Sequence, residues 1–175
     1  DAFLPPRPTP LQVVDLDAPR ADLQRLAARA ALTLDDARPD AIARRHAAGG
    51  RSARENIAAL CDEGSFDEYG ALAIAAQTLR RPRDELERQT PADGLVAGIG
   101  AIGGTRCVVL AYDYTVLAGT QGLRNHQKLD RMLELAHRLA LPVVLFAEGG
   151  GGRPGDVDAA VTAGLNVPSF RRFAA

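Results

Sequence analysis

The sequence predicts an α/β fold in which a short buried strand, residues 141–147, follows a long amphipathic helix. The strand is indicated by an apolar run with β-branched residues, bounded by Pro142 and by glycines. The helix, residues 123–139, is indicated by apolar side chains that recur at intervals of three and four residues. Before the helix, two apolar stretches flank Gly103-Gly104, as in a hairpin. These segments predict a ββα unit and the start of another.

Composition and charge are typical of one globular domain. Of the 175 residues, 46% are apolar and 25% are charged, and the formal net charge is -1. This balance gives no electrostatic case for binding nucleic acid or an anionic membrane. Cys61 and Cys107 are too few for a disulfide framework and lack the spacing of a metal site, so we expect small core residues in a cytoplasmic protein without a metal.

The first 50 residues predict a linker followed by helices. Residues 1–16 are expected to be an extended linker, because four of residues 5–10 are prolines. Residues 17–50 are expected to form a helical segment, in which Asp17 caps the first helix and Gly49-Gly50 ends the second. The basic residues 44–46, near the end of the second helix, are expected to lie in solvent.

A third helix is predicted to begin at Ser52, because Ser52 and Glu55 have the spacing of a capping box. An extended piece, residues 65–69, is expected to follow. Residues 70–92 show no clear pattern, except that residues 80–88 form a mixed-charge stretch that is typical of an exposed helix or loop.

Two strands are predicted next, over residues 94–102 and 106–112. We expect the second strand to continue as far as Leu117, and residues 118–122 to form the loop that leads into the long helix. After the buried strand, a new helix is expected near Asp156.

Four consecutive glycines, Gly149 to Gly152, lie between the buried strand and this expected helix. Backbone N–H groups at such a junction can point at a negatively charged atom, and glycine lets the backbone approach a ligand closely. A flexible surface loop explains the glycine content equally well. A nucleotide- or phosphate-binding domain is another alternative, although the Lys-Ser/Thr pair of a P-loop does not follow the glycines.

Several motifs occur in a fixed order between about residues 50 and 160. Taken together, they resemble the carboxyltransferase domain of biotin-dependent acyl-CoA carboxylases, the family of the acetyl- and propionyl-CoA carboxylase β components. The sequence departs from the family pattern at Ala147-Glu148, often aspartate and serine, and at Asn125, often histidine. The matching motifs are Ser52-Ala53-Arg54-Glu55-Asn56-Ile57, Gly64-Ser65-Phe66, Asp93-Gly94-Leu95-Val96-Ala97-Gly98-Ile99-Gly100, Val108-Val109-Leu110-Ala111-Tyr112-Asp113-Tyr114-Thr115-Val116-Leu117, and Leu141-Pro142-Val143 with the glycines and Arg153.

The resemblance implies a crotonase-like fold, the ββα superhelix of the ClpP/crotonase type, preceded by N-terminal helices. The family's domain has two such halves and is several hundred residues long. Residues 51–175 are therefore expected to be a partial N-terminal, acyl-CoA-binding subdomain with an incomplete first half. The second half, which would form the biotin-binding side of the active site, is expected to lie outside this sequence. We expect the fragment to be inactive alone and the full-length protein to be a homo-oligomer.

The chemistry that the resemblance implies is transfer of a carboxyl group from carboxybiotin to the α-carbon of an acyl-CoA. Removal of the α-proton gives an enolate, whose thioester oxygen is stabilised by backbone N–H groups. Gly149, Gly150 and Gly151 are the predicted donors. In the family, carboxybiotin on a partner carrier domain is thought to supply the base, and the implied partners are the biotin carboxyl carrier and biotin carboxylase domains or subunits.

Positive side chains are expected to bind the phosphates of CoA. The candidates are Arg51 and Arg54 at a helix start, Lys128, and Arg153 beside the glycines. His126 is weighed as a proton carrier against a capping or exposed residue, and Glu148 as a residue that orients the loop or contacts substrate.

Two alternatives remain open at this level. One is an acyl-CoA decarboxylase subunit, which shares the same first half. The other is a non-catalytic docking module of a multidomain carboxylase, whose proline-rich lead and helices contact neighbouring domains.

Overall fold

The computed structural model describes residues 20–158 and 168–174, and its centre is a four-stranded sheet. The strand order is β1-β2-β3-β4; β1 and β3 are antiparallel to β2, and β3 and β4 are parallel. The strands are β1 (Asp67–Glu68), β2 (Leu95–Ile102), β3 (Thr105–Tyr112) and β4 (Val143–Phe146).

Six helices accompany the sheet in the described part of the chain. The predicted ββα unit is confirmed, because β2 and β3 form a hairpin and helix α5 connects β3 to β4. The helices are α1 (Ala21–Ala31), α2 (Pro39–Ala47), α3 (Ala53–Leu60), α4 (Arg83–Gln89), α5 (Leu123–Leu139) and α6 (Ser169–Phe173), with 3-10 turns at Asp35–Ala37, Pro91–Gly94 and Leu117–Gly119.

The hairpin buries both of its faces. Alternate residues of a strand point to opposite sides of a sheet. On one side, residues such as Leu95, Val108 and Leu110 pack against Leu129 and Met132 of α5. On the other side, the intervening residues of the same strands pack against α3: Ala53 and Ile57 of the helix, and Val96, Cys107, Val109 and Ala111 of the sheet. This two-sided burial explains why β2 is apolar along its length and β3 is apolar from Cys107 onward.

The start of α3 follows from local chemistry, and the predicted capping box is confirmed. The Ser52 hydroxyl accepts the backbone N–H of Glu55 at 3.0 Å, and the Glu55 carboxylate accepts the backbone N–H of Ser52 at 2.7 Å.

The two cysteines differ in burial. Cys107 is buried as expected, whereas Cys61 is only half-buried.

The predicted mixed-charge stretch, residues 80–88, contains most of α4 and is largely exposed, whereas apolar residues in and around it are buried. Ala75, Ala76 and Leu86 are buried, the last on the inner face of α4. The charges that mark this region as exposed lie on one side of α4, where they form ion pairs four residues apart.

Strand β3 ends at Tyr112, not at Leu117. The Asp113 carboxylate accepts two hydrogen bonds from Thr115, one from its backbone N–H at 2.9 Å and one from its side-chain hydroxyl. These bonds turn the chain away from the strand direction.

The helix expected near Asp156 has not begun by Asp158, where the first described range ends. Asp156 instead accepts the N–H of Leu123, the first residue of α5, at 2.8 Å. The predicted linker, residues 1–16, lies outside the described residues.

Candidate functional site

Two loops meet at the carboxyl edge of the parallel strands. The glycine loop, residues 149–152, follows β4, and the Leu117–Gly119 turn follows β3. In α/β sheets this edge is where ligands bind. We therefore take these two loops as the candidate site.

The two loops are hydrogen-bonded to each other. The N–H of Gly150 donates to the carbonyl of Ala118 at 3.0 Å, and the N–H of Gln121 donates to the carbonyl of Gly151 at 2.8 Å. The N–H of Arg153 then donates to the carbonyl of Gln121, also at 2.8 Å. The glycine loop is therefore held in one register against the turn and is not a flexible surface loop.

Close backbone contact explains why glycine is required at two of these positions. A Cβ atom on Gly149 would lie closer than 3.0 Å to the carbonyl oxygen of Gly119. A Cβ on Gly119 would lie 2.6 Å from the carbonyl oxygen of Glu148, and Gly119 also has a φ of +64°. Gly152 has open space around the position of a Cβ, so its lack of a side chain is not required by packing.

The predicted oxyanion donors differ in their availability. The N–H of Gly150 is occupied by the carbonyl of Ala118, so in this conformation it cannot serve a ligand. Among the residues that the structure describes, the N–H groups of Gly149 and Gly151 have no acceptor. Gly149, Gly150 and Gly151 therefore stay predictions, and Gly150 can donate to a ligand only if it releases the carbonyl of Ala118.

The Leu117–Gly119 turn is a feature that the sequence analysis missed. Leu117 and Ala118 have φ angles of +48° and +55°, which are rare for residues with a Cβ. Strain of this kind, on the order of 1–3 kcal/mol per residue, concentrates at functional sites. Within residues 20–158 and 168–174, the N–H groups of Leu117 and Ala118 have no acceptor. The sequence signal was slight: Ala118-Gly119 looked like an ordinary small-residue loop.

Arg153 is buried and ion-paired. Its guanidinium contacts the Asp93 carboxylate, and the two side chains are 4% and 0% exposed. It also donates to the Thr120 carbonyl at 2.7 Å and to the Thr120 hydroxyl at 3.2 Å. In this arrangement Arg153 is a positioning residue, because no part of its charge is presented to a phosphate.

Asp93 is the centre of this buried network. Its carboxylate accepts the N–H of Asn125 at 2.7 Å, and its carbonyl accepts the Asn125 side-chain amide at 3.2 Å. Burial raises the pKa of Asp93, and the adjacent Arg153 opposes that rise. Asp93 therefore ties the start of α5 to the end of the glycine loop, which explains an asparagine at position 125.

Lys128 is also enclosed, on the other side of Asp93. Its ammonium group donates to the carbonyls of Ala92, at 3.0 Å, and Leu95. Burial lowers the pKa of Lys128 to about 8. Lys128 thus fixes the Pro91–Gly94 turn and does not reach solvent as a phosphate ligand would.

The remaining two predicted cations differ from each other. Arg54 forms a bidentate pair with Glu68, at 2.7 and 3.1 Å, and donates to the Thr33 carbonyl at 2.9 Å. Arg51 is exposed. Of the four predicted cations, Arg51 alone offers its guanidinium to solvent without a side-chain partner in the described part of the chain.

A second arginine–carboxylate pair reaches the glycine loop from α2. The Arg45 guanidinium contacts the Glu148 carboxylate, one residue before the glycines, and lies 5.5 Å from the centroid of the Tyr114 ring. The expectation that residues 44–46 all lie in solvent is wrong for Arg45. No local pattern could show this contact, because 103 residues separate its partners.

His126 lies in the first turn of α5, half-buried. Burial lowers the pKa of His126, although Asp130 and Asp93 oppose this effect. Its Nδ1 atom is buried and has no hydrogen-bond partner among the described residues.

In the part of the chain that the structure covers, no group of three His, Cys, Asp or Glu side chains could hold a metal ion. No helix there is both long and apolar enough to cross a membrane.

The sequence matches the family model of the carboxyl transferase domain over residues 44–166. The chain belongs to this carboxyl transferase family. It is 35% identical, over 133 residues, to the propionyl-CoA carboxylase beta chain of Saccharopolyspora erythraea, a match that covers 75% of this chain and 23% of that protein. The recognised family is thereby confirmed.

Two solved structures support the same assignment. The structure of a single-chain, multi-domain long-chain acyl-CoA carboxylase is similar with a TM-score of 0.83 and 59% identity, over 90% of this chain and 16% of that one. Transcarboxylase 12S, a hexamer, is similar with a TM-score of 0.67 and 25% identity, over 90% of this chain and 28% of that one. These neighbours have the crotonase-like fold, so the predicted fold class is confirmed. The chain spans less than a third of the length of each of these relatives.

Proposed function

We propose that this chain is the acyl-CoA side of a carboxyltransferase in a biotin-dependent acyl-CoA carboxylase. Its role is to bind the thioester so that the α-carbon can lose a proton and accept a carboxyl group. The enolate oxygen is stabilised by backbone N–H groups of the two loops. The single observation that carries this proposal is that the strained Leu117–Gly119 turn is held against the glycine loop, with N–H groups of both without acceptors in the described residues.

Backbone donors suit this reaction because the charge on the oxygen develops only after proton removal. Donors that are already fixed need no reorganisation at that moment, and losing one typically costs about 3–4 kcal/mol of transition-state stabilisation. The three hydrogen bonds between the loops fix their spacing. The Arg153–Asp93 pair anchors the loop's far end. Gly149 and Gly151, together with Leu117 or Ala118, are the donors that this arrangement favours.

The carboxyl group itself comes from carboxybiotin, which this proposal places on a partner carrier domain. None of the backbone and side-chain groups described above is assigned to hold it. The proposal therefore includes biotin carboxylase and biotin carrier partners, action in the cytoplasm, and assembly into a homo-oligomer in the whole protein. It also includes inactivity of the 175-residue chain alone.

Because turnover is not expected from this chain alone, the test measures binding. The ligand is a nitronate analogue of an acyl-CoA, which carries negative charge on oxygen where an enolate does. The comparison ligand is the matching alkyl thioether of CoA, which has no such oxygen. We expect the nitronate to bind at least tenfold more tightly by calorimetry, and Gly149→Ala to remove this difference. Equal affinity of the two ligands for the original chain would refute the proposal.

The decarboxylase alternative needs the same enolate and differs in which group leaves the α-carbon. It would give the same result with the nitronate. The docking alternative predicts that neither CoA ligand binds, so the same titration separates it from both enzymes.

A further inference from the structure

We propose that Arg38 is a positioning residue for the carboxyl transfer, because it holds the strained Leu117–Gly119 turn in the conformation that presents N–H groups to the enolate oxygen. Arg38 is the residue before α2, and it acts on the turn through Asp113 and Thr115, which follow β3. This inference rests on the proposed function and adds to it a side chain that no sequence motif indicated.

Arg38 is a buried cation that holds two groups at once. One terminal nitrogen of its guanidinium group donates to the Asp113 carboxylate at 2.9 Å, and the other donates to the Thr115 hydroxyl at 2.7 Å. The side chains of Arg38 and Asp113 are 10% and 6% exposed, so this pair is screened only weakly by solvent. Because a guanidinium group carries its donors in a rigid planar fork, the two bonds together fix Asp113 and Thr115 relative to the start of α2.

Backbone hydrogen bonds connect Asp113 to the turn. The carboxylate oxygen of Asp113 that does not bind Arg38 accepts the N–H of Thr115 at 2.9 Å. The Asp113 carbonyl accepts the N–H of Val116 at 3.0 Å, and the Val116 carbonyl accepts the N–H of Gly119, also at 3.0 Å. Val116 is fully buried, so it anchors the chain just before the turn. The contacts of Arg38 are therefore continuous with the bonds that close the turn.

The turn needs support on both sides because its backbone is strained. Residues with a Cβ persist at positive φ, as Leu117 and Ala118 do, only where the surrounding structure determines their conformation. After the turn begins, the Gly150 N–H holds the carbonyl of Ala118. Before the turn, Arg38 holds Asp113. Without the Arg38 contact, Leu117 and Ala118 can return to negative φ, which reorients their N–H groups.

Arg38 is itself fixed in place. The Asp35 carboxylate lies 3.9 Å from its guanidinium group and accepts the Ser52 hydroxyl at 2.5 Å. Ser52 is the N-cap of α3, so these contacts tie Arg38 to the helix that packs against the central hairpin. A support fixed in this way can oppose the strain of the turn.

The first test needs no ligand and follows hydrogen exchange at the Gly150 amide, whose bond to Ala118 depends on the position of the turn. In Arg38→Met we expect this amide to exchange at least tenfold faster than in the original chain, relative to the Val109 amide in the buried strand β3. The reference amide corrects for a change in global stability. Unchanged relative exchange in Arg38→Met would overturn the assignment.

Arg29→Met is the matched control. Arg29 is also a partly buried arginine that pairs with an acid, Glu87 at 3.1 Å, and donates to a second group, the Leu72 carbonyl at 2.7 Å. These partners belong to neither loop of the candidate site. Relative exchange at Gly150 should change less than twofold in this variant. An equal increase in both variants would mean that the loss of any such arginine loosens the loops, and would overturn the specific role of Arg38.

The second test uses the nitronate analogue and the alkyl thioether of CoA. Arg38→Met should lower the preference for the nitronate at least fivefold and change the affinity for the thioether less than twofold, because only the nitronate needs the N–H groups of the turn. Equal loss of affinity for both ligands would show general structural support and would overturn the positioning role.

Arg38→Lys repeats this test in a variant that keeps the positive charge beside Asp113 and therefore favours folding. A single ammonium group cannot reproduce the planar fork to Asp113 and Thr115. We expect a melting temperature close to that of the original chain, together with a nitronate preference that is at least threefold lower. A preference equal to that of the original chain would show that charge alone suffices and would overturn the assignment.

These results separate the role of Arg38 from the proposed function. A nitronate preference that needs Gly149 but is unchanged in folded Arg38→Met would keep the proposed function and overturn the role of Arg38. No nitronate preference in the original chain would overturn the proposed function, whereas faster Gly150 exchange in Arg38→Met would still show that Arg38 holds the turn. Thermal melting of each variant checks that it is folded.

Discussion

The glycine loop is held at its two ends by arginine–carboxylate pairs of opposite character. At the far end, Arg153 and Asp93 are 4% and 0% exposed, and additional hydrogen bonds surround them. At the near end, Arg45 and Glu148 are 18% and 39% exposed and border an open groove. The sequence alone does not distinguish the two pairs, because in each of them an arginine contacts an acidic residue far away along the chain.

The difference between the pairs decides what each arginine can do. Removing one partner of a buried pair leaves an uncompensated charge, so such a pair fixes a structure. A pair that water reaches contributes little to stability, and its unused donors can serve a ligand. The buried pair therefore positions the loop, and the accessible pair leaves part of the Arg45 guanidinium within reach of solvent.

The largest predicted effect breaks the buried pair. Asp93→Asn keeps the shape of the side chain and its tolerance of a positive φ, but it leaves the buried Arg153 charge without its main partner. We expect the free energy of unfolding to fall by about 3 kcal/mol. Urea unfolding measures this change. Asp84→Ala, which breaks the exposed pair with Arg88, is the control and should leave the free energy of unfolding almost unchanged. Similar losses in both variants would contradict the distinction.

The next effect concerns Lys128, whose pKa is lowered to about 8 from an ordinary 10.5. Below pH 8 the lysine is protonated in both states. Between pH 8 and 10.5 the unfolded chain binds the proton and the folded chain does not, so stability from this group rises with pH. The full rise is about 3 kcal/mol.

Burial also raises the pKa of Cys61 and Cys107, which acts in the opposite direction over the same range. The quantity to measure is therefore the difference in unfolding free energy between the original chain and Lys128→Met. We expect this difference to move in favour of the original chain between pH 8 and pH 10. A difference that does not change with pH would show that the buried ammonium group titrates normally.

A smaller effect is expected where the two loops touch. Gly149→Ala places a Cβ against the Gly119 carbonyl, so the loop must move and stability should fall by about 2 kcal/mol. Gly152→Ala meets open space and should change stability by less than about 0.5 kcal/mol. Thermal unfolding of the two variants checks both values. If both alanines are tolerated equally, the glycine loop does not pack against the turn as described.

The smallest effect is predicted for the accessible pair. Glu148→Gln removes its charge while water still reaches Arg45, so unfolding should become easier by no more than about 1 kcal/mol. Denaturant unfolding at low and high salt measures this change, which should shrink as salt increases. A loss as large as that of Asp93→Asn would show that the two ends of the loop are equivalent.

The difference between local and long-range contacts explains how much of the structure the sequence could predict. The hairpin, the long helix and the capping box depend on neighbouring residues and on periodic burial, and all three are confirmed. The end of β3 was predicted too late, because the side chain of Asp113 competes with the strand for local N–H groups. The contacts Arg153–Asp93, Lys128–Leu95 and Arg45–Glu148 could not be predicted, because the partners are 33 or more positions apart and no local pattern encodes such a distance.

The most direct test of the central claim is the amide spectrum of the isotopically labelled chain during titration with the nitronate analogue. The account predicts downfield proton shifts at Gly149 and Gly151, and at Leu117 or Ala118, because these N–H groups gain a charged acceptor. Gly150 should shift little, since its N–H already donates to Ala118. Saturable binding that leaves the amides of both loops unchanged would contradict the account.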